Sequence, residues 1–464
     1  MKKKVLLVKC YNPETRDIYA FKQIPIGIAY LAAAVKDFCD LEVFNMLVDD
    51  GLLEKIRREK PDVIGLSIFS VDFIFAEKLI KMIKKVSPES LIVAGGAHST
   101  AEPIDTLRAG ADVVVRGEGE FVFQKIIQLL SADSLIREEV RGISYFDANH
   151  IGGICHNQIV CIDDIDDFSM PAIDVFDMRK YDQYPLLTSR GCPFGCKFCA
   201  SKTIWGQKVR FHSAERVFQE IKRAVENYGF NHLVFIDDTF TLKHTRLFDI
   251  CDRIINADYG VTWSVNSRVD TINDEVAEKM SAAGCKVVSF GIETGSELIQ
   301  EAVDKKLNRR QMKEAFNACR KAGIRIKTGW MVGLPGDYGE QMRSLDLMLE
   351  LEPDEISIHH FIPMPGTYYW HQPEKHGIYF DKRILLSGFS IDALPDKIGL
   401  KFSYITNEEI AAVIQEMIRV LEQAGYKRPG QLSSYDLKSK VVNTYLDRGR
   451  LPVLPSKKSD KEAT

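Results

Sequence analysis

The sequence predicts an α/β protein. A doubly wound sheet domain is expected over residues 1–135, a linker with a hairpin over 136–183, a partial six-stranded (β/α)6 barrel over 184–367, and a small, mainly helical region over 368–464. Three observations carry this. Short apolar runs alternate with amphipathic stretches in two separate series, the pattern of repeated βα units on a parallel sheet. The chain of 464 residues exceeds what one ordinary domain holds. Its 45% apolar and 27% charged residues supply cores without the composition of a disordered chain.

In the first series, strands are expected at 5–8, 41–44, 63–67, 91–94 and 113–115. Between the third and fourth, Phe75, Leu79, Ile83 and Val86 recur at helical spacing, while Lys78, Lys81, Lys84 and Lys85 fall on other faces. Ligands of such sheets bind beyond the carboxyl ends of the strands. Three loops there, 67–70, 95–100 and 117–120, are rich in glycine or small polar residues, which lets backbone approach a ligand closely. No Gly-x-Gly-x-x-Gly follows the first strand, so the dinucleotide fingerprint is absent. Segments 143–146 and 158–162 are expected to pair as a hairpin, and the acidic run 163–167 reads as a solvated connector. Cys155, His156 and Cys161 fit no common zinc-finger spacing.

The second series places strands at 186–189, 233–236, 262–265, 287–292, 326–332 and 355–361. Helices are expected at 214–226, 274–283, 310–322 and 340–351. An active site of such a barrel lies at the strand carboxyl ends. Farther on, a helix is expected at 407–424 and a disordered tail at 457–464.

Lys and Arg total 61 against 65 Asp and Glu, a formal charge of -4, which gives no electrostatic reason to expect nucleic acid or an anionic membrane as partner. The longest nearly apolar stretch, 24–35, contains Pro25 and Gly27 and falls short of the ~20 residues a spanning helix needs. No secretory signal is recognisable, and ten cysteines are too dilute for a disulfide scaffold. The expectation is a cytoplasmic protein with reduced thiols. Cys10, Cys39, Cys251, Cys285 and Cys319 lie in or beside apolar segments, where a buried, inert thiol is the default.

Cys192, Cys196 and Cys199 differ. They fall in the run Thr188-Ser-Arg-Gly-Cys-Pro-Phe-Gly-Cys-Lys-Phe-Cys-Ala200, directly after the first barrel strand, with C-x3-C-x2-C spacing. One loop of this length can wrap three thiolates around a single centre, and Gly191 and Gly195 permit the tight backbone. Iron-sulfur clusters usually take four cysteines, so three suggest a cluster with one iron left open. The alternatives are a Cys3His zinc site using His212 and three packed core cysteines.

With Phe198, the cysteine run resembles the C-x3-C-x-aromatic-C motif of the radical S-adenosylmethionine (SAM) enzymes. The first domain resembles the Rossmann-like cobalamin-binding domain that precedes the barrel in one subgroup of them. The resemblance implies that the three cysteines bind a [4Fe-4S] cluster whose open iron is chelated by SAM, and that reductive cleavage of SAM yields a 5′-deoxyadenosyl radical. It places Phe198 near the adenine, Asp237 and Asp238 at the methionine amino group, and Ser267 and Arg268 at the ribose or carboxylate. Glu293 resembles the family's SAM-binding glutamate, and the loop 332–336 with Gly333 its adenine-side loop. Asp237-Asp238 also fits a simple helix N-cap before Thr239.

For cobalamin, the resemblance assigns the corrin face to Ser67, Ser70, Gly95, Gly96, His98, Gly117, Glu118 and Gly119. The D-x-H-x-x-G motif that donates a histidine to cobalt in other cobalamin proteins is absent. The implied activity is a cobalamin-dependent radical SAM methyltransferase acting on a carbon of a small molecule. Its alternatives are a cyclase or rearrangement enzyme with the same cofactors and a binding protein in which the cluster is structural. An electron donor such as flavodoxin or ferredoxin is implied. His359, His360, Tyr368, Tyr369 and Trp370 are candidates to face substrate or to pack the barrel's open edge, with at most one of the adjacent histidines pointing inward.

Overall fold

A computed structural model describes residues 2–13, 22–132, 137–387, 395–428 and 440–444. The expected tail at 457–464 lies outside the described residues. Among the described residues the first sheet has seven strands: β1 (Lys4–Lys9), β2 (Asp40–Asn45), β3 (Val63–Ser67), β4 (Leu91–Gly95), β5 (Val113–Val115), β6 (Ile143–Phe146) and β7 (Ile154–His156), in the order β2-β1-β3-β4-β5-β6-β7. The five expected strands are all present and parallel. Chain order reverses between β1 and β3, which opens a crevice at their carboxyl ends.

The hairpin differs from expectation in two ways. Its second strand is Ile154–His156 rather than 158–162, and it adds antiparallel to β5 instead of standing in a linker. Asp147 and Gly153 close the turn through an Asp147 N–H bond to the Gly153 carbonyl of 3.1 Å, which starts the second strand four residues early. The acidic run is not merely solvated either: Asp166 accepts from the Ser213 N–H at 3.1 Å and lies 2.8 Å from His212 Nδ1, and Ile165 between the acids is buried.

The second sheet begins with β8 (Tyr184–Leu186). A short ribbon of β9 (Ser189–Arg190) and β10 (Arg210–Phe211) leaves it, and β11 (His232–Phe235), β12 (Thr262–Ser267), β13 (Cys285–Glu293), β14 (Arg325–Val332) and β15 (Glu355–His360) follow. A ribbon of β16 (Ile378–Tyr379) and β17 (Lys401–Phe402) precedes β18 (Val441–Thr444). The order β18-β15-β14-β13-β12-β11-β8 is parallel throughout. Six strands are those expected; the seventh, β18, comes from the C-terminal region and extends the open edge of the barrel. Helices Ala214–Glu226, His244–Ala257, Asp274–Ala282, Arg309–Lys321 and Tyr338–Leu351 cover its outside.

Two cores cross between the sheets. In one, Val5, Leu7, Val93 and Val115 of the first sheet share a continuous cluster with Ile165, Phe168 and the barrel residues Leu186, Phe235 and Trp263. In the other, Leu6, Val8, Ile64 and Ile92 on the opposite face meet Ile299, Val303, Leu334, Phe361, Tyr369 and Trp370. Tyr369 and Trp370 are therefore core residues rather than substrate contacts. Trp370 Nε1 donates to Glu102, tying the segment after the barrel to the first sheet. Among the described residues no helix is long and apolar enough to cross a membrane.

His98, in the short helix Ala97–Ala101, is fully buried, its ring 3.9 Å from that of Phe73 and its Nδ1 3.1 Å from Ser70 Oγ. Burial holds its pKa down at about 3, so the folded protein carries it neutral at pH values where the unfolded chain protonates it. Its contribution to stability is present above about 6.5, the unfolded value, and fades as pH falls toward 3. Chemical denaturation across that window is expected to show stability falling with acid, and His98→Leu to flatten that part of the slope. A second expectation concerns Gly284, at φ +97°, where an added Cβ would run into the Val261 carbonyl oxygen. Gly284→Ala is expected to lower stability by about 1–3 kcal/mol in urea titrations.

Candidate active site at the junction of the two sheets

A cavity of about 520 Å³ opens at the crevice between β1 and β3 and is closed on its far side by the barrel. Its floor is apolar: Leu7, Gly65, Val93 and Phe123, where a Cβ on Gly65 would lie 2.6 Å from Leu7 Cδ2. Around the rim run Ser67, Gly95, Gly96, Gly117, Glu118 and Gly119. Gly96 has φ +97°, and a side chain there would meet the Ile68 backbone oxygen at 2.8 Å. The barrel contributes Leu187, Ser189, Arg190, Ile204, Trp205, Ile236 and Asp238.

Six of the eight residues assigned to the corrin face thus line one cavity. Ser70 and His98 do not, because the Phe73 stack draws both into the core behind the Gly95–Gly96 turn. Glu118 lines the wall, but its carboxylate is already committed. It accepts from Arg190 at 2.7 Å, from Arg210 at 2.6 Å and from the Ile162 N–H at 3.1 Å. Arg190 also donates to Glu120 at 2.5 Å. Burial alone would raise the Glu118 pKa; the two guanidiniums outweigh it and hold the carboxyl below its usual range. Arg190, Glu120, Arg210 and the buried Lys9, whose Nζ lies 3.7 Å over the Phe69 ring, carry no recognisable motif and were not anticipated from sequence.

The cysteine loop leaves β9 immediately after Arg190. Gly191, at φ +97°, makes the turn, since any side chain would meet the Lys208 carbonyl at 2.8 Å. The three thiols lie close enough to influence one another: Cys192 and Cys196 both disfavour ionisation of Cys199, and Cys192 that of Cys196. Burial raises the Cys196 pKa, and Lys305 and Arg268 oppose it. Such thiols ionise when a metal centre supplies the compensating charge. Among the described residues no three His, Cys, Asp or Glu side chains close around a single ion. His212 is held by Asp166 and, at 3.3 Å, Tyr30, which removes the zinc alternative, while a four-iron cluster spaces its thiolates more widely than one ion does. The five cysteines expected to be inert are all buried.

The barrel strand ends divide their work. Asp237 is fully buried and accepts from the Thr188 N–H and hydroxyl, both at 2.6 Å, and the Ser189 hydroxyl at 2.7 Å. It pins the β8–β9 turn and offers no free oxygen to an ammonium group, contrary to the expected contact. Asp238 is exposed, lines the cavity and accepts from Ser201, two residues past Cys199. Ser267 is engaged with the Thr241 and Thr271 hydroxyls. Arg268 forks onto Asp270 with two bonds of 2.9 Å, and its guanidinium lies 3.5 Å over the ring of Phe194, inside the cysteine loop.

Glu293 ends β13 at φ +71°, where the register with β14 shifts, and pairs with Lys305 at 3.2 Å. A non-glycine residue held there is strained, and such strain collects at functional positions. Lys305, undetected in the sequence, also lies 5.8 Å over the Phe198 ring. The Gly333 N–H bonds Gln341 and its carbonyl accepts from Tyr404 at 3.0 Å, so the loop after β14 is braced by the C-terminal region.

Residues 186–348 match the Radical SAM superfamily and residues 19–127 a B12 binding domain. An uncharacterized methyltransferase of Pyrococcus horikoshii is 32% identical over 75% of this chain and 77% of its own length. The anaerobic magnesium-protoporphyrin IX monomethyl ester cyclase of Cereibacter sphaeroides is 27% identical over 74% of this chain, which covers 59% of that protein. Among solved structures, the radical SAM methyltransferase TsrM of Kitasatospora setae, with cobalamin and a [4Fe-4S] cluster bound, superposes with a TM-score of 0.68 over 82% of this chain and 77% of that one, at 17% identity. The cobalamin-dependent radical SAM enzyme OxsB gives 0.66 over 91% of this chain and 62% of that one, at 18% identity. At such identities the structures speak for the fold alone. The cavity, the thiol loop and the two matched domains agree: the chain belongs to the cobalamin-dependent radical SAM enzymes, whose cofactors are a [4Fe-4S] cluster, SAM and cobalamin.

Proposed function

We propose that this protein methylates a carbon of a small-molecule substrate. When bound, the cluster supplies the electron that cleaves SAM, and cobalamin supplies a transferable methyl group. One juxtaposition carries the reading: Arg190 precedes the cysteine loop, Ile204 and Trp205 follow it, and all three belong to the wall of the glycine-rimmed cavity. A substrate lodged at that wall reaches both cofactor stations.

On this reading residues 1–135 with the β6–β7 hairpin take cobalamin, and 184–367 form the radical SAM barrel. Cys192, Cys196 and Cys199 would hold the cluster. Asp238 and Glu293 present carboxylates suited to the amino group of SAM, and Phe198 an aromatic face for its adenine. Ser267, Arg268, Asp237 and Gly333 act one layer back, fixing the walls against which SAM lies. Ser67, Gly95, Gly96, Gly117 and Gly119 would take the corrin, their backbones close to the ligand and the apolar floor excluding water. A cluster held by cysteines that are not fully buried would need reducing surroundings, so we place the reaction in the cytoplasm, fed by flavodoxin or ferredoxin, with neither nucleic acid nor membrane as partner.

A second reading, cyclisation or rearrangement without methyl transfer, is supported by the cyclase of Cereibacter sphaeroides among the relatives. Products separate the two. Anaerobically reconstituted protein turning over substrate is expected to form S-adenosylhomocysteine alongside 5′-deoxyadenosine, as chromatography with mass detection reads; 5′-deoxyadenosine alone would select cyclisation. Cys199→Ala is expected to lose reductive SAM cleavage under dithionite, with an unchanged circular dichroism spectrum. Persisting cleavage would refute the cluster assignment.

A further inference from the structure

We propose that Arg190 is a positioning residue that couples the cobalamin cavity to the cysteine loop, so that filling either site tightens binding at the other. The proposal rests on the cofactor assignment above and adds a relation between the two sites.

Arg190 is 2% exposed and stands two residues before Cys192. Its two terminal nitrogens fork onto Glu118 and Glu120, which belong to the Gly117–Glu120 loop of the first sheet. The guanidinium also packs among aromatic rings: Phe168 at 4.3 Å, Trp205 at 5.2 Å and Tyr30 at 5.3 Å. Trp205 closes the helix Ser201–Trp205 that follows Cys199. One side chain therefore holds the cysteine loop at both of its ends, through its own backbone before Cys192 and through the Trp205 ring after Cys199.

The same groups bound the cavity. Glu118, Glu120, Arg190 and Trp205 all line it. A ligand seated there packs against the carboxylates and the ring that anchor the loop, while a cluster in the loop immobilises the backbone from which Arg190 projects. Each ligand therefore favours the same clasped arrangement, the one in which the other site is also formed. Such coupling is reciprocal in binding free energy.

The arrangement has a purely structural rival, in which the clasp only keeps the two sheets together. That role weakens cobalamin binding equally with and without the cluster and leaves the ratio of the two dissociation constants unchanged. The ratio is therefore the discriminating quantity.

Hydroxocobalamin is titrated anaerobically into cluster-loaded and cluster-free full-length protein, and bound cofactor is read from the absorbance spectrum. The expected result for the unaltered protein is a Kd at least about fivefold lower with the cluster present, within the usual range of coupling between sites. Arg190→Gln is expected to bring the ratio close to one. Arg190→Lys, which keeps the charge but cannot fork onto both carboxylates, is expected to fall between. Glu120→Gln removes one of the two ion pairs while Glu118 keeps its own, and serves where the arginine variants fold poorly; its ratio is also expected to drop. A ratio of one in the unaltered protein, or an undiminished ratio in Glu120→Gln, overturns the proposal. Failure of the unaltered protein to take up hydroxocobalamin or to assemble a cluster overturns the cofactor assignment instead.

Discussion

The contact between Arg190 and the carboxylates of Glu118 and Glu120, extended by Arg210, fixes where the two sheets meet. All four side chains are almost fully buried. Burying ions is costly in desolvation, and an apolar contact of the same size often stabilises a fold as well or better. What the charges provide is a defined position: a fork of two guanidinium nitrogens meets two carboxylates in few arrangements, whereas apolar side chains slide. The Gly117–Gly119 turn is thereby held against the start of the cysteine loop. Arg190 and Arg210 keep Glu118 below its ordinary carboxyl range, so its carboxylate stays charged at neutral pH.

A second division of labour runs along the barrel's strand ends. Successive residues of an extended chain point to opposite sides, and Asp237 and Asp238 use this: one carboxylate is consumed inside by Thr188 and Ser189, the next faces the cavity. On β13 the shift at Gly291/Glu293 re-aims the terminal glutamate toward Lys305, as bulges beside active sites commonly do. The carboxylates suited to a ligand are thus those that local geometry has turned away from the structural ones.

Much of this was legible in the sequence wherever the signal is local. Buried parallel strands are continuous apolar runs, and each expected strand of the two βα series is present, within a residue or two at most ends. The C-x3-C-x2-C loop is likewise a local pattern. The hairpin went astray because Ile154–His156 is a half-exposed strand of three residues with no alternation, while the more β-like run at 158–162 has no partner strand among the described residues. The Glu118–Arg190 pair spans 72 residues, and no pattern along the chain links its members. His98 shows the opposite case: the resemblance puts it on the corrin face beside Gly95 and Gly96, yet Phe73, 25 positions away, takes its ring into the core.

The two sheets are joined on both faces, which constrains how large ligands enter. On one face stands the Arg190 clasp; on the other, Trp370 donates to Glu102 and Arg383 pairs with Glu77 at 2.7 Å. A hinge rotation that parted the sheets would strand the buried charges of the first and strip Trp370, 1% exposed, from the core of the second. Smaller rearrangements avoid both penalties. Phe69, at the end of β3, lines the cavity yet is 43% exposed, and only the Lys9 ammonium stacks on its ring among the described residues. Phe69 thus stands at the edge of the cavity and outside both clasps, so the relation between the cofactor stations does not depend on it.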